Sequence, residues 1–274
     1  MLTQQTTKYF EQMDKSVGDK TRMWPHISGT KVLDAGCGSG GLMKALIGNG
    51  FDAFGIDLSL MAYEQIKKDG LKDKFILGDL GDIDTYFQPG DFDTVIFSSV
   101  LHEVYSYSGF DEFVLRDVIA SAYNVIPRGG RIIIRDGVKP IGYEKRIIRF
   151  KDINDVLFLK EYCKRFKGRK VEYKKIDSLT YEMQESDAME FLYTFTWGWE
   201  SFDREVQEQY GVFDIVEYCA QIIDDHPTAK IKHAESYLQH GYEENLKNKI
   251  EFFYEDMEVC KLPDSNMILV IEKG

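Results

Sequence analysis

Two regimes of hydrophobic patterning divide the 274-residue chain. From residue 31, short apolar runs bounded by turn residues alternate with stretches of helical period. KVLDAG predicts a first strand, and GLMKALIGNG a helix stopped by Gly48 and Gly50. DAFGID predicts a second strand, and SLMAYEQIKKDG a helix with Ser59 as N-cap and Gly70 at its end. KFILGD and FDTVIFSS predict strands three and four. A helix is expected from about Phe110 to Asn124, and the turn PRGG then leads into RIIIRDG, a fifth strand. Strands separated by helices are βαβ units, which imply a mostly parallel α/β sheet covered on both faces. The runs VIF and IIIR suit strands buried on both sides.

Outside this core the pattern changes. Residues 8 to 27 read as an N-terminal helical segment ending near Pro25. Residues 139–248 read as a mostly helical insertion, rich in Tyr, Phe and charge. IEFFYEDMEVC, the turn PDSN and MILVIEK then read as a terminal hairpin. That hairpin is expected to join the same sheet, because a lone one is marginal. The expected organisation is one α/β domain built from residues 1–138 and 249–274, with 139–248 inserted for substrate recognition.

An apolar fraction of 43% is enough for a full core. The net charge of −12 disfavours coating nucleic acid or an anionic membrane by bulk charge. Cys37, Cys163, Cys219 and Cys260 form no C-x-x-C pair, so neither a zinc knuckle nor a disulfide scaffold is indicated. A reduced, cytoplasmic setting is expected. No signal core and no run of about 18 apolar residues is evident, so no membrane partner is expected.

The stretch KVLDAGCGSGG carries the first chemistry. Gly36, Gly38 and Gly41 fit a dinucleotide fingerprint, while Gly36, Gly38 and Gly40 fit the loop of another nucleotide-like ligand. Three acids bear on the choice. Asp34 precedes the loop, where its charge would repel a pyrophosphate but suits a ligand carrying an ammonium and a sulfonium. Asp57 ends the second strand, where a carboxylate can accept both ribose hydroxyls, and Leu58 after it offers an apolar wall to an adenine. Asp79 ends the third strand at the sheet's ligand-binding edge, placed to accept from an exocyclic adenine amine.

On these residues the chain resembles the class I S-adenosylmethionine-dependent methyltransferases. The match runs through VLDAGCGSG, GIDLS, LGDL, DFDTVIFSSVLHEV and IPRGGRIIIRD, in the family's order, over residues 31–137. The resemblance implies a seven-stranded, mostly parallel Rossmann-like sheet of order 3-2-1-4-5-7-6 with its last strand reversed. It also implies S-adenosyl-L-methionine as cofactor. Asp34, Gly36, Gly38 and Gly40 would then surround the methionine part, and Asp57 with Leu58 the ribose and adenine face. Asp79 and the Leu80 backbone would read the adenine, and Ser98 would sit near the methionine amine.

Methyl transfer asks a protein chiefly to align a nucleophile with the methyl and sulfur, with a base helping where the nucleophile is O–H or N–H. SSVLHEVYSYSG leaves the fourth strand where the methyl should point. Its candidates are His102, Glu103 and Tyr105 for catalysis and Tyr107 for the substrate. His102 is chosen as base for a pKa suited to neutral pH; the alternative is that it packs under the loop. Asp136, ending the fifth strand, is a weaker candidate. No metal ligand set is expected. His226, His233 and His240 repeat every seven residues, which on a helix is about 10.5 Å, too far to share an ion.

Substrate choice is expected in the insertion. Lys139 to Lys175 holds 13 Lys and Arg against five acids, a surface that an RNA or phosphate-bearing substrate could use but that the solvated face of an amphipathic helix explains better. Trp197 and Trp199 flank Gly198 and can wall a small-molecule pocket or form the insertion's own core. Arg204 reads as a substrate contact or as a surface pair with Glu205. Residues 235–246, ESYLQHGYEENL, are a candidate lid. The reading is a methyltransferase acting on a small molecule, with an RNA (tRNA) methyltransferase as runner-up. A non-catalytic cofactor-binding protein and a nicotinamide-dependent oxidoreductase remain beside them. The fourth strand runs into SSVLHE with no Asn-Pro-Pro-Tyr motif, so a DNA substrate is disfavoured. The oligomeric state is not specified by the sequence.

Overall fold

The computed structural model describes residues 17–274. The expected N-terminal helix lies partly outside them. Its described remainder is one helical turn, α1 (Val17–Lys20), followed by a 3-10 turn over Thr21–His26 that contains Pro25.

The expected strands form as β1 (Lys31–Ala35), β2 (Asp52–Asp57), β3 (Phe75–Leu77), β4 (Thr94–Ser98) and β5 (Arg131–Gly137). Between them run α2 (Gly41–Gly48), α3 (Leu60–Lys68), the short α4 (Ile83–Tyr86), α5 (Leu101–Tyr107) and α6 (Glu112–Val125). Ser59 caps α3 through its side chain, which accepts from the Ala62 amide. Two further strands complete the sheet, β9 (Lys230–Tyr237) and β11 (Asn266–Glu272), giving the order β3-β2-β1-β4-β5-β11-β9. β11 runs antiparallel to both of its neighbours, and β1 to β5 pair in parallel. This is the expected 3-2-1-4-5-7-6 arrangement.

Alternation of side chains sends adjacent residues of each strand to opposite faces. Leu33, Ile132, Ile134 and Leu269 pack into one apolar cluster, and Val32, Ile133, Ile268 and Val270 into another. Both faces are therefore dry, which is why these strands read as continuous apolar runs.

The insertion departs from its expected form. It is not mostly helical. It contains β6 (Lys145–Phe150), β7 (Tyr173–Lys175) and β8 (Thr180–Gln184), which join β10 (Ile250–Phe253) in a second, antiparallel sheet of order β10-β6-β8-β7. Helices α7 (Ile153–Arg165), α8 (Glu185–Trp197), α9 (Phe202–Glu205), α10 (Ile215–Asp225) and α11 (Tyr242–Leu246) accompany it. The terminal hairpin is also corrected. β10 pairs with β6 rather than with β11, and the outer neighbour of β11 is β9. Buried residues from Ile148 to Val206, with Leu246, Ile250 and Phe252, share their own apolar cluster, in which Phe150, Phe158, Phe191 and Phe195 meet edge to face or stacked, while Val212, Tyr218, Ile222 and Ala229 pack into the main core. Among the described residues, no helix is long and apolar enough to cross a membrane.

Candidate functional site

The glycine loop leaves β1 in a conformation that needs glycine. Gly36, Gly38 and Gly40 have φ of +77°, +52° and +78°. A Cβ on Gly36 would lie 2.4 Å from Cγ2 of Val100, so this turn is pressed against the chain leaving β4. The Gly36 amide donates to the Ile56 carbonyl at 2.8 Å, tying the loop to β2. Asp57, at the end of β2, accepts from the Gly38 amide through Oδ2 and from the Ser59 amide through Oδ1, each at 2.8 Å.

Two buried polar atoms here lack partners. Asp34 is 2% exposed, and its Oδ2 accepts no hydrogen bond. Burial raises its pKa to about 7, against the opposing charge of Lys20. Ser98 Oγ, at the end of the adjoining strand, is likewise buried without a partner. Buried polar atoms are normally satisfied, so this pair asks for a ligand with a cationic donor. Leu58 is 53% exposed beside Asp57. Leu80 is buried, and Asp79 is exposed, accepting from the Gly81 amide at 2.9 Å. The residues present thus fit S-adenosylmethionine: Asp34 and Ser98 would suit its ammonium, Asp57 its ribose, and Leu58 and Asp79 its adenine.

The segment after β4 is built around Asp136. Ser99 adopts a left-handed φ of 57°, unusual for a residue other than glycine, and its amide donates to the Arg135 carbonyl at 2.7 Å. The turn aims the first amides of α5 at Asp136. Oδ2 accepts from Val100, Leu101 and His102 at 3.2, 2.7 and 3.2 Å. Oδ1 accepts from His102 Nδ1 at 2.6 Å and from the Gly137 amide at 2.7 Å. Burial works to raise the carboxyl's pKa, yet the His102 charge and these donors hold it below the usual carboxylate range. Asp136, expected as a minor candidate, therefore positions both helix and histidine.

His102 is 3% exposed. Burial alone would lower its pKa, but Asp136, then Glu103 and Glu208, raise it to about 9. This lies above the near-neutral value for which His102 is chosen as base. Its ring stacks on Tyr210 at 4.3 Å.

Insertion residues close over this group. Arg204 donates to Glu103 Oε1 at 3.2 Å and to Glu208 Oε1 at 3.0 Å. The Tyr107 hydroxyl donates to Glu208 Oε1 at 2.7 Å. The Gln209 amide donates to Ser106 Oγ at 2.8 Å, and that hydroxyl donates to the His102 carbonyl at 2.7 Å. Tyr210 donates through its hydroxyl to Glu205 Oε2 at 2.8 Å. Burial, then Glu208, raises Glu103 to about 7 and Glu205 to about 8, against the charge of Arg204. The Gly36 turn is pressed against Val100, two residues before His102, which sets this group beside the glycine loop.

His102, Glu103, Tyr107 and Arg204 are therefore brought together. Tyr105 is not; it packs edge-on with Phe110 against the main core at 5.7 Å. Trp199 packs on Phe158 at 4.6 Å and Phe202 at 4.9 Å on the insertion's outer rim, and Trp197 ends α8. The pair Arg204–Glu205 is not a surface pair, since Glu205 is 0% exposed. Sequence reasoning missed Glu208 and Tyr210. The run REVQEQY places Arg204 and Glu208 four apart, the one local signal available. His226 stacks on Tyr123 and His233 on His26, both as packing rings.

In the basic segment, eight of the 13 Lys and Arg are ion-paired: Lys139, Lys145, Arg146, Arg149, Lys164, Arg165, Arg169 and Lys170. Most of their partners come from outside the segment, including Glu182, Asp187, Asp203, Glu217 and Glu251.

The family model described as "Methyltransferase domain" matches residues 26–273. No curated protein matches the sequence. Among solved structures, an S-adenosylmethionine-dependent methyltransferase from Archaeoglobus fulgidus aligns with TM-score 0.54 and 12% identity, covering 98% of this chain and 100% of that one. One from Methanosarcina mazei aligns with TM-score 0.52 and 14% identity, covering 92% and 96%. The geranyl diphosphate C-methyltransferase of Streptomyces coelicolor A3(2), solved with Mg2+, geranyl diphosphate and S-adenosyl-L-homocysteine, aligns with TM-score 0.51 and 11% identity, covering 98% and 85%. At these identities the likeness is one of fold.

Proposed function

The chain belongs to the methyltransferase-domain family, and we propose that it transfers the methyl group of S-adenosylmethionine to a polar small molecule enclosed between α5 and the insertion. The observation that carries this reading is the closure of Arg204, Glu208 and Tyr210 over Glu103, Tyr107 and His102. A buried polar cluster roofed by the insertion beside the glycine loop suits a small acceptor rather than a polymer.

The cofactor supplies a methyl group activated by the positive charge of its sulfonium. Asp34 and Ser98 complement its ammonium, and Asp57 holds its ribose. The acceptor attacks the methyl carbon as the carbon–sulfur bond breaks, and the electron pair of that bond returns to sulfur. A proton lost from an O–H or N–H acceptor meets carboxylates of the chamber. His102, fixed by Asp136, lines the acceptor side of the site.

RNA is the second reading, resting on the net charge of residues 139–175. The ion pairs of eight of its 13 basic side chains weigh against it, as phosphate binding draws on basic groups available to exchange for counterions. The small-molecule reading also accords with the geranyl diphosphate enzyme among the structural neighbours. Labelled S-adenosylmethionine offered with a metabolite extract or with total RNA tests it. Label is expected in the metabolite pool, and label confined to RNA would replace the reading.

A further inference from the structure

Among the described residues, the buried cluster around Arg204 holds more carboxylates than cations. Glu103, Glu205 and Glu208 converge on Arg204, while the charge of His102 is matched by Asp136. Glu205 and Glu208 are 0% and 1% exposed, and Glu103 has a side chain 20% exposed. Buried charge of one sign calls for a compensating partner.

The geometry narrows what that partner is. One ligand atom each from His102, Glu103 and Glu208 all lie within 4.8 Å of one another. A cation bound at about 2.1 Å from each would hold them no more than about 4.2 Å apart, so small side-chain rotations close the set. Asp136 engages Nδ1 of His102, which leaves Nε2 as the ring's atom for coordination. A carboxylate behind an imidazole in this way fixes the tautomer and aim of a metal-bound histidine.

A separate observation points to the same place. Glu205 Oε1 is buried and has no hydrogen-bond partner, while its Oε2 accepts from Tyr210. The same Tyr210 hydroxyl lies 3.5 Å from Glu208 Oε2, so the unsatisfied oxygen belongs to the carboxylate next to Glu208. A carboxylate left this way in a dry site is costly unless a cation or a cation-bound water reaches it.

We propose that His102, Glu103 and Glu208 bind one divalent first-row metal ion, with Glu205 completing the surrounding negative charge. One imidazole and two carboxylates form a mixed nitrogen and oxygen set, which suits Mn2+, Fe2+ or Zn2+ better than the all-oxygen cations. Arg204 and Tyr107 hold the Glu208 carboxylate in place as they do now. The metal claim does not rest on methyl transfer. If the proposed transfer holds, the ion would take an acceptor oxygen as a further ligand.

The test uses the full chain stripped with a chelator. Mn2+ is titrated in and the free ion is followed by electron paramagnetic resonance; Zn2+ is followed by calorimetry. One equivalent per chain is expected, with Glu103→Gln and Glu208→Gln each weakening it about tenfold or more. Circular dichroism and S-adenosylhomocysteine binding check that each variant is folded. Absence of stoichiometric binding of both ions to the wild-type chain overturns the proposal without any variant. Unchanged binding by both folded variants also overturns it. Because S-adenosylhomocysteine is titrated separately, failure here leaves the cofactor reading standing.

Discussion

Arg204 and Glu103 meet across 101 residues of sequence, with Nη2 3.2 Å from Oε1 and side chains only 15% and 20% exposed. The contact joins the insertion to the helix that follows β4. Tyr107 with Glu208 and Gln209 with Ser106 make further polar contacts across the same boundary.

Removing that guanidinium leaves Glu103 and Glu208 facing each other in a dry site. Arg204→Met is expected to destabilise the fold by about 3 kcal/mol, the usual cost of orphaning a buried charge. Urea denaturation measures it. Adding Glu208→Gln to Arg204→Met should recover part of the loss. A double variant no more stable than Arg204→Met alone would show that the pair is not coupled.

Gly36→Ala places a methyl 2.4 Å from Val100 Cγ2 at a φ of +77°. The loop must shift, at a cost of about 1–3 kcal/mol. S-adenosylhomocysteine affinity should fall at least about tenfold, since the loss acts directly on the bound state. Calorimetry at constant temperature reads this, and unaltered affinity would mean the loop does not touch the ligand.

Asp34 sets a pH dependence. Its folded pKa is raised to about 7 by burial, so the folded state binds a proton that the unfolded state has already lost. Its contribution to stability is therefore present at low pH and declines as pH rises from about 4 to 7. A cationic ligand reverses the preference. S-adenosylhomocysteine, which keeps the ammonium, should bind more tightly as pH rises from 6 to 8, and Asp34→Asn should flatten that rise. A binding curve that falls over this range in the wild type would contradict the assignment of Asp34 to the ammonium.

Asp136→Asn removes the charge that accepts from three amides of α5 and from His102. His102 has a folded pKa near 9, so its stabilising contribution is full below its unfolded value of about 6.5 and is lost as pH rises through 9. In the metal-free variant, imidazole titration followed by NMR should move down by more than one unit. Stability should drop by about 2–4 kcal/mol at pH 7 and by less at pH 10. An unmoved imidazole titration would mean that Asp136 does not set the charge of His102.

The glycine turn and the strand-end acids were readable as structure because their signals are local. Asp34, Gly36, Gly38, Gly40 and Asp57 lie at strand ends and in one tight turn, where backbone conformation and burial follow from a few neighbouring residues. The alternation of apolar runs and helices specified the sheet in the same way. The outer strand β9 was missed because its exposure alternates along a charged edge, KIKHAESY, with little apolar signal. IEFF read correctly as a strand, but hydrophobic pattern does not name a partner, and its partner is Ile147–Phe150, about a hundred residues earlier.

The sequence by itself therefore determined the parallel sheet, the glycine turn and the acids around it, since each depends on spacing of a few residues. Only the tertiary structure decided the acceptor side. Glu208 and Tyr210 acquire meaning when a short helix of the insertion's core, α9, folds against α5, and burial there changes what the groups are. Burial, then the charge of Glu208, raises the pKa of Glu103 and Glu205, and Asp136 raises that of His102 against its burial. Desolvation and long-range pairing are properties of the packed chain, and no window along the sequence contains them.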